Sequence, residues 1–194
     1  MVLSHLDWKI DGYFVEFGAT DGHLLSNTWL LEMEFGWTGI LAEPAQIWHP
    51  ALVASGRSAR IEFDCVWDKT GEILQFDQTD VLELSTISSF AASDHHRFRR
   101  KRRKQYEVKT ISLNDLLVKH DAPSDMDFLS IDTEGSELKI LESFDFNKYN
   151  FKVIACEHNF TDNREKIFNL LQKNGYVRKF EAHSNFDDWY FYEG

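Results

Sequence analysis

The chain has 194 residues, 43% of them hydrophobic and 14% aromatic, enough for one substantial core. A formal net charge of -11 disfavours nonspecific nucleic-acid binding, and no apolar run is long enough for a membrane-spanning helix. The start, MVLSHLDWKI, has neither a basic end nor an apolar stretch, so no signal peptide is expected.

In chain order, YFVEF (13–17) reads as a buried strand. LLSNTWLLEMEFG (24–36) reads as a helix with apolar residues at helical spacing, stopped at Gly36. TGILAE (38–43) is the second strand, broken by Pro44, and a helical stretch around 45–55 leads to a third strand, ARIEF (59–63). VWDKTGEILQF (66–76) reads as a hairpin turning at Lys69-Thr70-Gly71. Residues 79–106 are irregular, polar and basic, the character of a loop or lid. YEVKTIS (106–112) is a strand, and SLNDLLVKH (112–120) a helix capped by Ser112. MDFLSID (126–132), SELKILESF (136–144), FKVIACE (151–157) and NREKIFNLLQKNG (163–175) continue as strand, helix, strand and helix. YVRKF and DWYFYE close the chain as paired strands.

This alternation predicts an α/β protein with a doubly wound, mostly parallel sheet covered on both faces. Ligands of such a sheet gather at the C-terminal ends of its strands. The last two strands form an antiparallel hairpin at one edge, and one domain over 1–194 is the simplest organisation. Cys65 and Cys156 lack metal-binding spacing and fall near strand ends on opposite sides of the sheet. Buried, reduced thiols and a cytoplasmic setting are the expectation.

Four carboxylates stand at predicted strand ends: Glu16, Glu43, Asp132 and Glu157. Acidic residues also follow strands as caps and turn formers, but four of them beside a glycine turn argue for a ligand. That turn, GATDG, runs from Gly18 to Gly22 and lacks the GxGxxG that meets a pyrophosphate. Glu16 and Asp21 would repel a pyrophosphate and suit a cationic ligand without phosphate. S-adenosylmethionine, with its ammonium and sulfonium, meets that description. Glu43 lies 21 residues beyond Gly22, where the ribose of a nucleotide ligand needs an acceptor.

VEFGATDG, LSNTWLLE, GWTGILAEP, FLSIDTEGSELKIL and CEHN resemble the FkbM-type family of S-adenosylmethionine-dependent methyltransferases. TISLNDLL and the closing DDWYFY extend the resemblance over nearly the whole chain. It implies the seven-stranded, Rossmann-like class I methyltransferase fold and methyl transfer to a hydroxyl, often of a sugar or natural product. It also implies site residues. Glu16, Gly18, Ala19, Thr20, Asp21 and Gly22 would form the methionine end of the cofactor site, Glu43 would hold the ribose, and Asp64, Cys65 and Val66 would flank the adenine. Asp132, Glu134 and Gly135 would shape the floor near the transferred methyl. Thr20 stands where the family more often has Asn, and Ser130-Ile131 where many members carry a lysine before the acidic residue.

An alcohol is a poor nucleophile, so positioning needs help from a base or a metal. In one arrangement His158 is the base, oriented by a carboxylate, with Asp132 and Glu157 beside it. In another, Asp132 and Glu157 with His158 or Asn159 hold Mg²⁺, although two carboxylates make a sparse site. His158 could equally be a hydrogen-bonded histidine with no catalytic proton. Glu134 and Asn159 would face the acceptor, a small molecule or glycan.

RFRRKRRK (97–104) holds seven basic residues out of eight. As a lid it would recruit an anionic acceptor through Arg99 and Arg100. As a solvated loop it balances an acidic body, the commoner role of a charge run. An RNA-directed methyltransferase using this segment is an alternative that the overall acidity argues against. A non-catalytic interaction domain with the same fold is another.

Overall fold

The computed structural model describes residues 1–82, 85–90, 103–183 and 185–194. The chain opens with α1 (Val2–His5), then runs β1 (Tyr13–Phe17), α2 (Trp29–Phe35), β2 (Thr38–Ala42), α3 (His49–Ala54) and β3 (Arg60–Glu62). Next come β4 (Cys65–Trp67), β5 (Ile73–Thr79), β6 (Thr86–Ile87) and β7 (Arg103–Ser112). The final third holds α4 (Leu113–Lys119), β8 (Asp125–Ile131), α5 (Glu137–Glu142), β9 (Asn150–Glu157), α6 (Asn163–Lys173), β10 (Tyr176–Lys179) and β11 (Asp187–Tyr192).

Seven strands form the main sheet in the order β3-β2-β1-β8-β9-β11-β10. The first five are parallel neighbours, and β11 lies antiparallel between β9 and β10. This is the doubly wound class I methyltransferase arrangement expected from the sequence, with its terminal hairpin at one edge. The direction of winding reverses between β1 and β8, so the crevice at their C-terminal ends is where such a sheet takes its ligand.

Period-two alternation explains how the sheet is covered. Val15, Ile40, Leu129 and Ile154 point to one face, packed by Leu116 and Leu117 of α4, Ile140 of α5 and Leu171 of α6. Phe14, Leu41, Phe128 and Val153 point to the other, under Val2 of α1, Leu31 of α2 and Leu52 of α3. Burying each such side chain contributes about 1.5–3 kcal/mol, so the two layers together fix where the strand ends lie.

Two expectations need correction. The helix foreseen from residue 24 begins only at Trp29, because Ser26, Asn27 and Thr28 spend their polar groups on Glu16 instead. It does stop at Gly36, whose φ of 68° forms the left-handed cap. The hairpin foreseen over 66–76 does not pair with itself. The chain turns there, but β7 inserts between its arms, parallel to β4 and antiparallel to β5. Thr110 holds the turn from inside, donating to the Lys69 carbonyl at 2.7 Å and accepting from the Glu72 amide at 2.9 Å. The result is a second sheet, β4-β7-β5-β6, with its own core of Trp67, Phe76, Ile87 and Val108.

Of the basic island, Arg103 and Lys104 belong to β7, where Arg103 pairs with Asp77 and Lys104 lies over the Tyr106 ring. The rest of the island, including Arg99 and Arg100, lies outside the described residues. Among the described residues no helix is long and apolar enough to cross a membrane. Cys65 and Cys156 are both buried as free thiols.

Candidate active site

The glycine turn is shaped by close packing of strand ends. Gly18 has φ +74°, and a Cβ built on it would lie 2.2 Å from the Asp132 carbonyl oxygen, so only glycine lets β1 pass the end of β8 this closely. Thr20 then donates its amide to Glu43 Oε2 at 2.8 Å, joining the turn to the end of β2. Asp21 behaves differently from its expected role. Its carboxylate accepts from the amides of His23 and Leu24 at 2.9 and 2.7 Å. Burial is the largest single influence and raises its pKa, but the Leu24 and His23 amides together outweigh it and the pKa falls. Asp21 is therefore a turn former that faces its own backbone.

Glu16 sits in a polar nest. It accepts from Ser26 Oγ at 2.8 Å, the Asn27 amide at 2.7 Å and Thr28 Oγ1 at 2.5 Å. Burial pushes its carboxyl up, and those three donors with the nearby Arg57 charge pull against it. Arg57 anchors the nest from behind, donating to the Gly22 carbonyl, Ser26 Oγ and Thr28 Oγ1 at 2.6, 3.2 and 2.8 Å. Its counter-ion is Glu32, 2.6 Å away, and both side chains are essentially removed from solvent. Although burial opposes it, Arg57 and the Ser58 donors hold Glu32 below its ordinary pKa.

Glu43 has one oxygen on the Thr20 amide and the other on the Ala45 amide, at 2.8 and 2.7 Å. Burial pushes it up to about 7 against those two donors, and the charge of Asp132 adds to the rise. Cys65 is pushed up to about 12 by burial, then by Glu43 and Asp64, which makes it an inert thiol. These groups line an open cleft at the winding reversal, the place where a sheet of this kind takes its ligand. Glu16, Glu43, Asp132 and Glu134 put four carboxyl-bearing residues on its wall, and no lysine or arginine is among the described residues that line it.

Beyond β8, Asp132, Glu134 and Glu157 each bring a carboxylate oxygen within 4.8 Å of the others. Asp132 is exposed where it opens onto the first cavity, yet the packed surroundings of its carboxyl push it up to about 7, with Asp187, Glu137 and Glu16 adding and Glu157 opposing. Burial, then Asp132 and Glu134, raise Glu157 much further. Two like charges this close cannot both be ionised cheaply, so Glu157 keeps its proton past the pH at which Asp132 gives its own up. Asn159 Nδ2 steadies Glu134 at 3.1 Å.

Glu157, His158 and Asn159 line a neighbouring cleft together with Gly135, Glu137 and Lys166 of α6. His158 is not the base foreseen for it. Its Nδ1 accepts from the Phe160 amide at 3.1 Å, which puts the ring proton on Nε2 and leaves no free lone pair. Nε2 is buried 3.9 Å from Asp188, a carboxylate already held twice by Arg164 at 2.7 Å. Burial, then Arg164, lowers the His158 pKa and keeps the ring neutral. It also lies outside the carboxylate group that could share a cation, in which Glu134 takes its place.

Of the residues expected at the cofactor, Glu16, Gly18, Thr20, Glu43, Cys65, Val66 and Asp132 share the first cavity. Ala19 is buried in the core behind the turn, and Gly22 packs against Leu52 and Ser55. Asp64 is off the wall, 3.9 Å from Lys109. Sequence reasoning missed Arg57, whose partners lie 25 to 35 positions away, and the contribution of the second sheet through Phe76 and Ile87. Trp48 lines the cavity as well, whereas Trp37 is core.

Among curated proteins none matches the chain significantly. Among solved structures the chain is similar to a precorrin-6y C5,15-methyltransferase from Geobacter metallireducens, at 12% identity and a TM-score of 0.48, over 98% of this chain and 85% of that one. It is also similar to a candidate RNA methyltransferase from Pyrococcus horikoshii, at 11% identity and a TM-score of 0.46, over 98% of this chain and 78% of that one. The family described as the Methyltransferase FkbM domain matches residues 16–187, from the acidic residue of β1 to the start of β11. With that match spanning nearly the whole chain, the protein belongs to the FkbM methyltransferase family.

Proposed function

We propose that the protein is an S-adenosylmethionine-dependent O-methyltransferase whose acceptor is a hydroxyl of a sugar, glycan or natural product. The observation that carries this reading is the first cavity, lined by Glu16, Glu43, Asp132 and Glu134 and by no cationic residue among those described. Such a wall fits a ligand bearing an ammonium and a sulfonium and rejects a pyrophosphate. Glu16 suits the ammonium, Glu43 the ribose hydroxyls, and Val66 with Trp48 the adenine. When bound, the cofactor supplies a methyl group activated by its positive sulfur.

The remaining work falls to the chain. An oxygen acceptor sheds its proton as it is methylated, so the site needs a base that is half ionised near neutrality. Asp132, pushed up to about 7 and open to the cavity, is that base. Glu157, protonated behind it, holds the charge on Asp132 rather than competing for the substrate proton. Thiol and imidazole alternatives are removed by the burial of Cys65 and the occupied Nδ1 of His158.

The test is formation of S-adenosylhomocysteine with a panel of hydroxylated acceptors. Wild-type kcat should rise as pH climbs through about 7, and Asp132→Asn should lower it about 10²–10⁴-fold while cofactor affinity stays within a few-fold. Chelation by EDTA should leave turnover unchanged. Full turnover in Asp132→Asn removes the base. Turnover lost in EDTA and restored by Mg²⁺ assigns the step to a cation on Asp132, Glu134 and Glu157.

A further inference from the structure

Arg57 lines neither cavity, yet among the described residues it is the cation packed behind the carboxylate that faces the cofactor's expected ammonium. A guanidinium has five donors and no acceptor, so every hydroxyl it contacts must use its oxygen to accept. Arg57 donates to Thr28 Oγ1 at 2.8 Å and to Ser26 Oγ at 3.2 Å. Accepting from the guanidinium, both hydroxyls donate their hydrogens to Glu16 Oε2, at 2.5 and 2.8 Å. The Asn27 amide supplies the other oxygen at 2.7 Å. Glu16 is thus met by three donors, an arrangement that favours the carboxylate over the protonated carboxyl.

We infer that Arg57 is a positioning residue that acts through the Ser26 and Thr28 hydroxyls to keep Glu16 an anion, and so sets affinity for the amino-acid end of the cofactor. This rests on the S-adenosylmethionine reading for its ligand, but the state of Glu16 does not. The other charged groups around Glu16 work the opposite way or are already committed. Asp132, at the end of β8, and Glu43, at the end of β2, share its cavity as carboxyls, which can only repel a charge on Glu16 when ionised. Glu32 of α2 is consumed by Arg57 itself, and Asp21, on the same turn, faces its own amides. Arg57 therefore adds its charge to the Thr28, Ser26 and Asn27 donors that oppose the upward push of burial on Glu16, and fixes the two hydroxyls among them.

The first arm of the experiment needs no cofactor. The ¹³C carboxyl resonance of Glu16 is titrated in wild type, Arg57→Met, Arg57→Lys and Glu32→Gln. The Glu16 midpoint should move to higher pH in Arg57→Met and stay near wild type in Arg57→Lys, which keeps the charge. Glu32→Gln loosens the same packing without removing that charge and should leave it nearly unmoved. The second arm is calorimetry at pH 7. Arg57→Met should weaken S-adenosylhomocysteine about tenfold, the worth of one modest charge interaction, and leave 5′-methylthioadenosine unchanged, because that probe has the adenosine half and no ammonium. An unmoved Glu16 midpoint in Arg57→Met overturns the inference. So does an equal shift in Glu32→Gln, which would make Arg57 a packing residue only. Loss of both probes in Arg57→Met with an altered fold by circular dichroism passes the decision to Arg57→Lys and Thr28→Val, where Thr28→Val must raise the Glu16 midpoint. A wild type that binds neither probe, with the Glu16 shift present, condemns the cofactor reading and leaves Arg57's effect on Glu16 standing.

Discussion

At the scale of single residues, the site is a set of carboxylates made useful by what donates to them. Glu16 and Glu43 are equally buried acids, yet one is held by two hydroxyls and an amide, the other by two amides. Gly18 carries the tightest steric demand. Gly18→Ala places a methyl against the Asp132 carbonyl at a left-handed φ, and should cost at least about 2 kcal/mol from the backbone conformation and the clash together. Urea denaturation would read the loss, and a variant as stable as wild type would show that β1 and β8 do not approach so closely. The strand-end acids were legible because an apolar run ending in Glu or Asp marks a strand terminus in any doubly wound sheet. Asp21 was misread because its local amides, three residues away at most, outcompete a ligand for it. Arg57 left no local signal at all.

At the scale of elements, the parallel strands announced themselves as short apolar runs separated by helical periods. The second sheet was obscured because β4 is three residues long and its partner β7 lies more than forty positions on, so no turn signal links them. Where an element's end is local chemistry, the sequence reading held. Ser112 was expected to cap α4, and its Oγ accepts from the Asp115 amide at 3.1 Å. Ser112→Ala should cost about 1 kcal/mol, seen as a lower thermal midpoint with unchanged cofactor binding. No change in stability would mean that Thr70, which also contacts this hydroxyl, carries the cap instead.

At the scale of the whole molecule, the acid cluster links stability to pH. Glu43 and Asp132 are each pushed up to about 7 when folded, whereas in the unfolded chain they titrate near 4. Between those limits the folded state binds more protons, so stability from these groups falls as pH rises from about 4 through 7. Glu32, Asp127 and Glu62 act in the opposite sense. Burial opposes them, but Arg57, Lys152 with Lys9, and Lys119 depress their pKa values, and that stabilisation is lost as pH falls below the ordinary carboxylate range. Melting temperatures recorded from pH 4 to 9 should therefore peak on the mildly acidic side, near about pH 5. A bound cationic cofactor, which prefers the ionised wall, should shift the peak upward. A peak above pH 8 without cofactor would contradict the protonated cluster.

The most direct measurement is calorimetric binding of S-adenosylmethionine and S-adenosylhomocysteine to wild type and Glu43→Gln at pH 7.5. The carboxylate-lined cavity predicts one site per chain, with affinity about tenfold or more weaker in Glu43→Gln, the cost of losing a charged hydrogen-bond acceptor to the ribose. Equal affinity in the two proteins would move the cofactor away from Glu43. No binding of either ligand to the wild type would contradict the methyltransferase reading of this cavity.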